Sequence, residues 1–416
     1  MLISRRWGSA VTAGFLALGL TAGPAKAVPS PDVDPNPLVG DSVREEQWHL
    51  KTLNVPGAWV YAEGAGITVA VIDSGVDADH PDLKGQVLPG LDLVDPKDDG
   101  DTDLVGHGTT VSAIIAGRGD DNAGVIGIAP KAKILPIRVL NEENRYNDAI
   151  IVAKGVRWAV DHGAKVINLS LGGNGSSPAL AAALDYAFAK DVVVVACTGN
   201  TSASTNDQVW YPAREPGVIA VAGTDRAGNT LWPGSITGPE TVVAAPATDL
   251  VGARPGGYWK VQGTSFAAPM VTGTAALIRS RWPTMPAGEV INRITRTAKD
   301  LGPAGRDPVY GFGLVNPTGA LTADVPAVID NPLDTSPPPG IARFGAAPVS
   351  GQAQSAPDDA VGNVRRPPAL ADAGSGSAPT IRAAGPIRHG WWAAAILFLL
   401  SALAALLTIR RFSSAT

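Results

Sequence analysis

Short apolar runs alternate with longer segments of helical periodicity from residue 47 to about residue 321. The apolar runs are rich in β-branched residues and close on turn residues: GITVAVIDSG, KILPIRVL, KVINLSL, DVVVVACTGN and GVIAVAGTD. They predict strands, and one of the helices between them is predicted over residues 149–162. Strands that are almost continuously apolar and separated by helices predict an α/β fold, a parallel sheet with helices on both faces.

The N-terminal pattern predicts export. Arg5 and Arg6 precede a short apolar stretch over residues 11–20, and Ala25-Lys26-Ala27 is a small-x-small cleavage site. This order is typical of a secretory signal peptide, here residues 1–27. The arginine pair leaves a twin-arginine route open, although the rest of that motif is poor and general secretion is favoured. A short extension over residues 28–46 then leads into a globular domain over residues 47–323.

The C-terminal pattern predicts a membrane anchor. Residues 324–389 are rich in Pro, Ala and Gly without periodic apolar spacing, which is typical of a disordered linker. Residues 391–409 carry no charge and as a helix would be about 28 Å long, close to the hydrocarbon thickness of a membrane. The flanking Trp391-Trp392 and Arg410-Arg411 favour a transmembrane helix followed by a cytoplasmic tail over residues 410–416. A core helix of this composition is the alternative.

Composition narrows the classes of function. The net charge of −5 provides no basic surface for nucleic acid. The only cysteine, Cys197, excludes an intramolecular disulfide, and its place after a run of valines predicts a buried apolar residue.

The segment KDDGDTD is the one candidate calcium loop. Asp99, Asp101 and Asp103 have the spacing of the first three ligands of an EF-hand, but Leu104 and Thr110 stand where its glycine and bidentate glutamate belong. A solvated loop is favoured. Calcium stays an option without a specific motif, and no other metal and no cofactor are predicted.

Three stretches place a chemically capable side chain at the end of a predicted element. Asp73, in VAVIDSGVD, follows a strand, where a shielded carboxylate could orient an imidazole; a plain turn is the alternative. His107, in VGHGTTVSAIIAG, opens a helix between two glycines that predict room for a substrate; a structural histidine is the alternative. Ser265, in QGTSFAAPMVTG, stands at a predicted helix start, where it could be an N-cap, a nucleophile beside N–H groups, or both.

These three residues occur in the chain order of the subtilisin triad. The motifs VAVIDSGVD, GHGTTVSAIIAG and GTSFAAPMVTG resemble those of the subtilisin-like serine protease family, over residues 47–321. The resemblance implies that Ser265 is the nucleophile, that His107 is the general base and then the general acid, and that Asp73 orients His107. It also implies that Asn200, at the end of ACTGN, completes the oxyanion hole; a simple turn residue is the alternative.

The resemblance extends to segments that bind substrate. The segment SLGG would pair with the substrate main chain and border the P1 pocket, and its facing wall and base would come from the segments around residues 198 and 210. A bulky indole at the base predicts a preference for small P1 residues such as alanine. The implied substrate-binding residues are Ser170, Leu171, Gly172, Gly173, Thr198, Gly199 and Trp210.

The order of segments is similar to that of the mycosins, membrane-anchored subtilisin-like proteases of type VII secretion systems. Many mycosins have disulfides, which a lone Cys197 cannot form. The resemblance implies a single-pass protein of the cell membrane, with an extracytoplasmic peptidase domain that cuts exported proteins. Membrane proteins of a secretion complex are candidate partners. A structural component of such a complex, with proteolysis secondary, is the alternative; esterase or ligase activity of the same acyl-enzyme is a third.

Overall fold

The computed structural model describes residues 43–120, 123–204 and 206–334. These ranges hold nearly all of the predicted globular domain. The predicted signal peptide, transmembrane helix and cytoplasmic tail lie outside the described residues, as do most of the extension and most of the linker. In the described ranges, no helix combines the length and the hydrophobicity needed to cross a membrane.

A parallel sheet of seven strands forms the centre of the domain, in the order β2-β3-β1-β4-β5-β6-β7. Every residue of β4, β5 and β6 is buried, which is why these strands read as continuous apolar runs. The predicted parallel sheet is therefore confirmed. Its strands are β1 (Thr68–Asp73), β2 (Leu91–Asp92), β3 (Lys133–Arg138), β4 (Val166–Leu169), β5 (Val193–Cys197), β6 (Ile219–Thr224) and β7 (Val243–Pro246).

An antiparallel hairpin and eight α-helices surround the sheet in the described ranges. Helices α3 and α6 pack against each other, and α4 packs against α5. The hairpin consists of β8 (Leu250–Arg254) and β9 (Gly257–Val261). The helices are α1 (Trp48–Thr52), α2 (Val55–Trp59), α3 (His107–Ala116), α4 (Ala149–Asp161), α5 (Pro178–Ala189), α6 (Thr264–Arg281), α7 (Ala287–Thr297) and α8 (Pro317–Thr322).

The topology defines one edge of the sheet as the place for a site. From β1 the chain runs to β2 at the outer edge, returns to β3 beside β1, and then crosses over to β4 on the other side of β1. In a parallel sheet, such a reversal leaves a crevice at the carboxyl ends of the strands. Asp73 ends β1 at this edge, and the segments after β4 and β5 begin there.

Helix α6 is buried over almost its whole length, from Thr264 to Arg279. A Cβ at Gly273 would lie 2.6 Å from the Cβ of Ile128, so only glycine allows this close approach. Pro269 lies within the helix, as its sixth residue. A rigid buried helix thus fixes the position of the segment around Ser265.

The chain remains on the domain beyond the predicted start of the linker at residue 324. Asn292 Nδ2 donates to Pro326 O (2.8 Å), and Asn331 Nδ2 donates to Gly217 O (2.9 Å). Leu333 O accepts from the amide of Gly217 (3.1 Å). The last contacts of the domain therefore lie later than residue 323, because backbone-directed hydrogen bonds hold a segment that has no apolar periodicity.

Candidate active site

The imidazole of His107 is bound to the carboxylate of Asp73. His107 is the first residue of α3, and its Nδ1 lies 2.7 Å from Asp73 Oδ1. Asp73 is fully buried, while the His107 side chain keeps 12% of its surface exposed. Since Nδ1 faces a carboxylate, it carries the proton in the neutral ring, and Nε2 is left as an acceptor.

The two glycines beside His107 face the protein. A Cβ at Gly108 would lie 2.1 Å from Gly75 O and 3.2 Å from Asp73 Cβ. Gly106 has φ +83° and its Cβ would lie 2.5 Å from Arg254 Nε. Gly108 thus lets the first turn of α3 approach the end of β1, and Gly106 lets it approach Arg254 at the end of β8, so the substrate room inferred from the sequence is not their reason.

A second carboxylate holds the loop before α3. Asp103 accepts five hydrogen bonds, the pattern of an ionised carboxylate. Its donors include the hydroxyl of Ser74 (2.9 Å) and the amides of Gly106 (2.7 Å) and Thr109 (2.9 Å). Asp103 therefore anchors the start of α3 and with it His107. In the sequence, the position of Asp103 just before a predicted helix start is a signal for this anchoring role. The interpretation of KDDGDTD as a solvated acidic loop misses it.

The charges around His107 set its basicity. Burial lowers the pKa of His107, but the charge and hydrogen bond of Asp73, with the charge of Asp103, raise it above the ordinary 6.5. The charge of Arg254 opposes this rise. Burial also raises the pKa of Asp103, against the hydrogen bonds that it accepts. The imidazolium is thus stabilised by two carboxylates.

Ser265 is the second residue of α6, and it is not the N-cap. Gly263 occupies that position, without a capping side chain. The Ser265 hydroxyl lies 3.9 Å from Cys197 Sγ, and no hydrogen bond joins it to His107 among the described residues. Ser170 Oγ donates to Ser265 O (2.6 Å) and holds the backbone in place.

Two hydrogen-bond donors meet at the start of α6. Asn200 Oδ1 accepts from Thr264 N (3.0 Å) and from Thr264 Oγ1 (2.9 Å), which turns the amide NH2 of Asn200 outward. Phe266 N is bonded to Gly263 O (3.0 Å). Thr264 and Phe266 are the chain neighbours of Ser265, whose own N–H has no acceptor among the described residues, as is expected for the first turn of a helix. These donors could stabilise an oxyanion.

Comparison with known proteins identifies the family to which this site belongs. The profile of the Subtilase family matches residues 64–313, more than half of the chain. The chain belongs to the subtilase family. The expected resemblance to subtilisin-like serine endopeptidases is thereby confirmed.

Curated relatives include bacterial proteases of this family. The chain is 36% identical to fervidolysin of Fervidobacterium pennivorans over 318 residues, which are 69% of this chain and 45% of fervidolysin. It therefore spans less than half the length of that relative. It is 40% identical to subtilisin DY of Bacillus licheniformis over 256 residues, 61% of this chain and 90% of subtilisin DY.

Solved structures of mycosins share the fold. MycP1 from Mycobacterium smegmatis is 30% identical, with a TM-score of 0.65, over 76% of this chain and 93% of MycP1. MycP3, described as a protease from the type VII (ESX-3) secretion system, is 30% identical with a TM-score of 0.59, over 76% of this chain and 100% of MycP3. The expected likeness to mycosins is confirmed.

An indole lies between the two expected walls of the P1 pocket in this subtilase. A Cβ at Gly199 would lie 2.5 Å from Trp210 Cδ2, and one at Gly172 would lie 3.3 Å from Trp210 Cε3. Trp210 is 9% exposed, and its Nε1 has no partner among the described residues. Gly173 and Tyr211 exchange backbone hydrogen bonds of 3.0 and 2.8 Å. The ring thus fills space between the walls.

Three of the other implied substrate-binding residues are buried. Thr198 is fully buried and its hydroxyl donates to Val221 O (3.2 Å), so its side chain faces away from the cleft. Ser170 is 3% and Leu171 6% exposed. Ser170 lies in a polar chain that sequence reasoning missed, since Asn168 Nδ2 donates to Ser170 Oγ (2.9 Å). The buried hydrogen bonds of Thr198 and Ser170 therefore hold the segments after β5 and β4 in place from inside the protein.

The acidic loop divides into two parts. The carboxylates of Asp98, Asp99 and Asp101 lie within 4.8 Å of one another, a spacing that could hold a cation. Burial raises the pKa of Asp101, with a further contribution from Asp99. Asp103 is not in this group, because its carboxylate anchors α3; Asp99, Asp101 and Asp103, despite their EF-hand-like spacing in the sequence, therefore do not form one site. An acidic group of this kind does not by itself define calcium binding, and cofactor independence stays a prediction.

Proposed function

We propose that this chain is a membrane-anchored serine endopeptidase that hydrolyses peptide bonds of exported proteins through an acyl-enzyme on Ser265. The observation that carries the proposal is the 2.7 Å contact between His107 Nδ1 and Asp73 Oδ1, with the His107 ring 5.3 Å from the ring of Phe266 in the first turn of α6. There the Ser265 hydroxyl, the Ser265 N–H and the Asn200 amide lie together. In this proposal the nucleophile, the base, the orienting carboxylate and the oxyanion donors act as one assembly.

Acylation begins with a turn of the Ser265 hydroxyl. Rotation about its Cα–Cβ bond moves Oγ from Cys197 Sγ towards His107. Nε2 of His107 takes the hydroxyl proton as Oγ attacks the carbonyl carbon of the scissile bond. Asp73 holds the ring in the required tautomer and stabilises the imidazolium that forms. His107 then donates the proton to the leaving amine.

The negative oxygen of the tetrahedral intermediate lies between the Ser265 N–H and the Asn200 amide. Both donors are held before substrate arrives, because Thr264 fixes the Asn200 side chain and α6 fixes the backbone. Water, activated by His107, then releases the acyl group. The same donors serve this second step.

The secretion context rests on relatives and on the chain termini. MycP3 is described as a protease from a type VII secretion system, and MycP1 is described as an essential component of such a system. Residues 1–27 and 391–409 have the sequence patterns of a signal peptide and a membrane anchor. We therefore extend the proposal to the outer face of the cell membrane and to secretion-complex membrane proteins as partners.

Activity-based labelling tests the catalytic part of this proposal. The full-length chain in membranes is treated with a fluorophosphonate, and the modified peptide is identified by mass spectrometry. We expect modification of Ser265, and none at that residue in Ser265→Ala or His107→Ala. Labelling at another residue, or equal labelling in His107→Ala, would contradict the assembly.

A structural role is the second candidate, favoured by the description of MycP1 as an essential component. Ser265→Ala separates the two roles because it removes only the nucleophilic oxygen. If secretion complexes still assemble while substrate trimming stops, the chain has both roles and they are separable. Full secretion and full trimming in this variant would rule out the peptidase role.

A further inference from the structure

A small cleft lies beside His107, between the loop that precedes α3 and the β8–β9 hairpin. Its volume is about 230 Å³, below the usual range for drug-sized ligands and suited to a single side chain. Leu104 is 67% exposed at its rim. The cleft is lined by Leu104, Val105, Arg254, Pro255 and Trp259.

The guanidinium of Arg254 is held in this cleft with donors to spare. Its Nη2 donates to Val105 O, and its Cζ lies 6.0 Å from the ring centroid of Trp259. No carboxylate forms a salt bridge with Arg254 among the described residues, and its Nε and Nη1 have no acceptor there. The charge of Asp103 acts on Arg254, but both oxygens of that carboxylate are already engaged.

The cleft and the P1 pocket lie on different sides of the catalytic histidine. The expected walls of the P1 pocket follow β4 and β5, whereas the cleft is formed by residues just before His107 and by β8, on which α3 packs. A substrate side chain that enters the cleft is therefore not P1. It belongs to a residue close to the scissile bond, at P2 or on the leaving-group side.

We infer that this cleft is a substrate subsite for an acidic side chain, in which Arg254 binds the carboxylate. The inference rests on the proposed peptidase function. A guanidinium presents parallel N–H groups that match a carboxylate, and its stacking on Trp259 limits its freedom before substrate arrives. Leu104 and Trp259 offer apolar contact to the methylene groups of a glutamate. An uncharged side chain would leave the charge of the guanidinium without a carboxylate, its only hydrogen bond within the described ranges being the one to Val105 O.

Fluorogenic peptides test the subsite directly. The full-length protein is assayed on peptides with alanine at P1 and with Glu, Gln or Lys in turn at P2, P1′ and P2′. At one of these positions we expect kcat/KM for Glu to exceed that for Gln by about ten-fold. Arg254→Gln should abolish this preference, and Arg254→Glu should turn it towards Lys.

The matched control is Arg157→Gln. Arg157 also stacks on an aromatic ring, 4.5 Å from the centroid of Tyr186, but it lies on α4 away from the site. This variant should keep the Glu preference. A Glu preference that survives in Arg254→Gln, or is absent from all three positions in the wild type, would overturn the inference.

Fluorophosphonate labelling distinguishes failure of the subsite from failure of the peptidase. The probe reacts with Ser265 without a peptide side chain, so labelling should persist in Arg254→Gln. Labelling without any Glu preference would reject the subsite alone. Absence of labelling in the wild type as well would reject the proposed function.

A further variant, Arg254→Lys, keeps the charge but not the planar fork, and it should retain part of the preference. If this variant shows no preference and has also lost thermal stability, Arg254 has a structural role and does not bind the substrate carboxylate.

Discussion

The two flanks of the proposed triad differ in charge. On the flank of Ser265, the hydrogen-bonding side chains are uncharged: Asn168, Ser170, Cys197, Asn200, Thr264 and Thr272. On the flank of His107 three of them are ionisable, Asp73, Asp103 and Arg254, and the neutral hydroxyls of Ser74 and Thr109 are bound to Asp103. Both flanks are largely buried, so the difference lies in the kind of group and not in access to water.

This division matches where charge appears during acyl transfer. A positive charge develops on His107, and nearby carboxylates stabilise it through space. A negative charge develops on the substrate oxygen beside Ser265, where a carboxylate would repel it and where fixed neutral donors cost no reorganisation. The comparison predicts that the His107 flank is sensitive to loss of charge and that the Ser265 flank is sensitive to gain of charge.

Asp73→Asn should have the largest effect. The amide keeps the shape of the side chain but favours the wrong tautomer of His107, so kcat should fall about 10⁴-fold. The measurement is kcat on a peptide substrate, with thermal unfolding as the control for folding. A loss of less than about ten-fold would show that the carboxylate is not required for orientation.

Asn200→Ala should have the next largest effect on the rate. It removes one oxyanion donor, which in a related subtilisin costs about 10²–10³-fold in kcat. Asn200→Asp keeps the oxygen that Thr264 binds but places charge beside the oxyanion, so kcat should fall further than in Asn200→Ala. If Asn200→Asp were more active than Asn200→Ala, repulsion of the oxyanion by a carboxylate could not explain why the side chains on the Ser265 flank are uncharged.

Local patterns in the sequence predicted much of this arrangement. The strands β1, β3, β4, β5 and β6 were recognised because burial on both faces makes them continuously apolar. The two-residue β2 is too short for such a signal, and β9 in the hairpin is only partly buried. Asp73 and His107 were singled out because each stands at the end of an element.

Contacts between distant segments were out of reach of the sequence. Asp103 meets Ser74 across 29 positions of the chain, and Arg254 meets Val105 across 149. The sequence separation within each of these pairs follows no helix or strand periodicity, so the contacts are seen only in the folded structure. In the sequence, Thr264 stands out only as part of the motif QGTSFAAPMVTG. Its role in orienting the Asn200 amide depends on contact between the start of α6 and the segment after β5.

Trp210→Ala should change specificity more than rate. In the wild type, the ring between Gly172 and Gly199 should make a peptide with alanine at P1 a better substrate than one with phenylalanine. Removing the indole should raise kcat/KM for the phenylalanine peptide by about ten-fold relative to the alanine peptide. A wild-type preference for phenylalanine or lysine at P1 would contradict the expected role of Trp210.

The pH dependence of kcat/KM gives the finest test of the charged flank. His107 must be neutral to act as a base, so activity falls as the pH drops through its pKa. Because the pKa of His107 is raised above 6.5, the midpoint of the acid limb should lie above that pH.

Asp103→Asn and Arg254→Gln should move that midpoint in opposite directions. Asp103 raises the pKa of His107, so Asp103→Asn should shift the acid limb to lower pH. Arg254 lowers it, so Arg254→Gln should shift the limb to higher pH. Asp103→Asn also sets an NH2 group against hydrogen-bond donors such as those of Thr109, at a cost of about 1–3 kcal/mol in the free energy of unfolding, so the profiles are compared below the melting temperature of each variant. Shifts of the same sign in both variants would mean that the loop geometry, rather than the two charges, sets the basicity of His107.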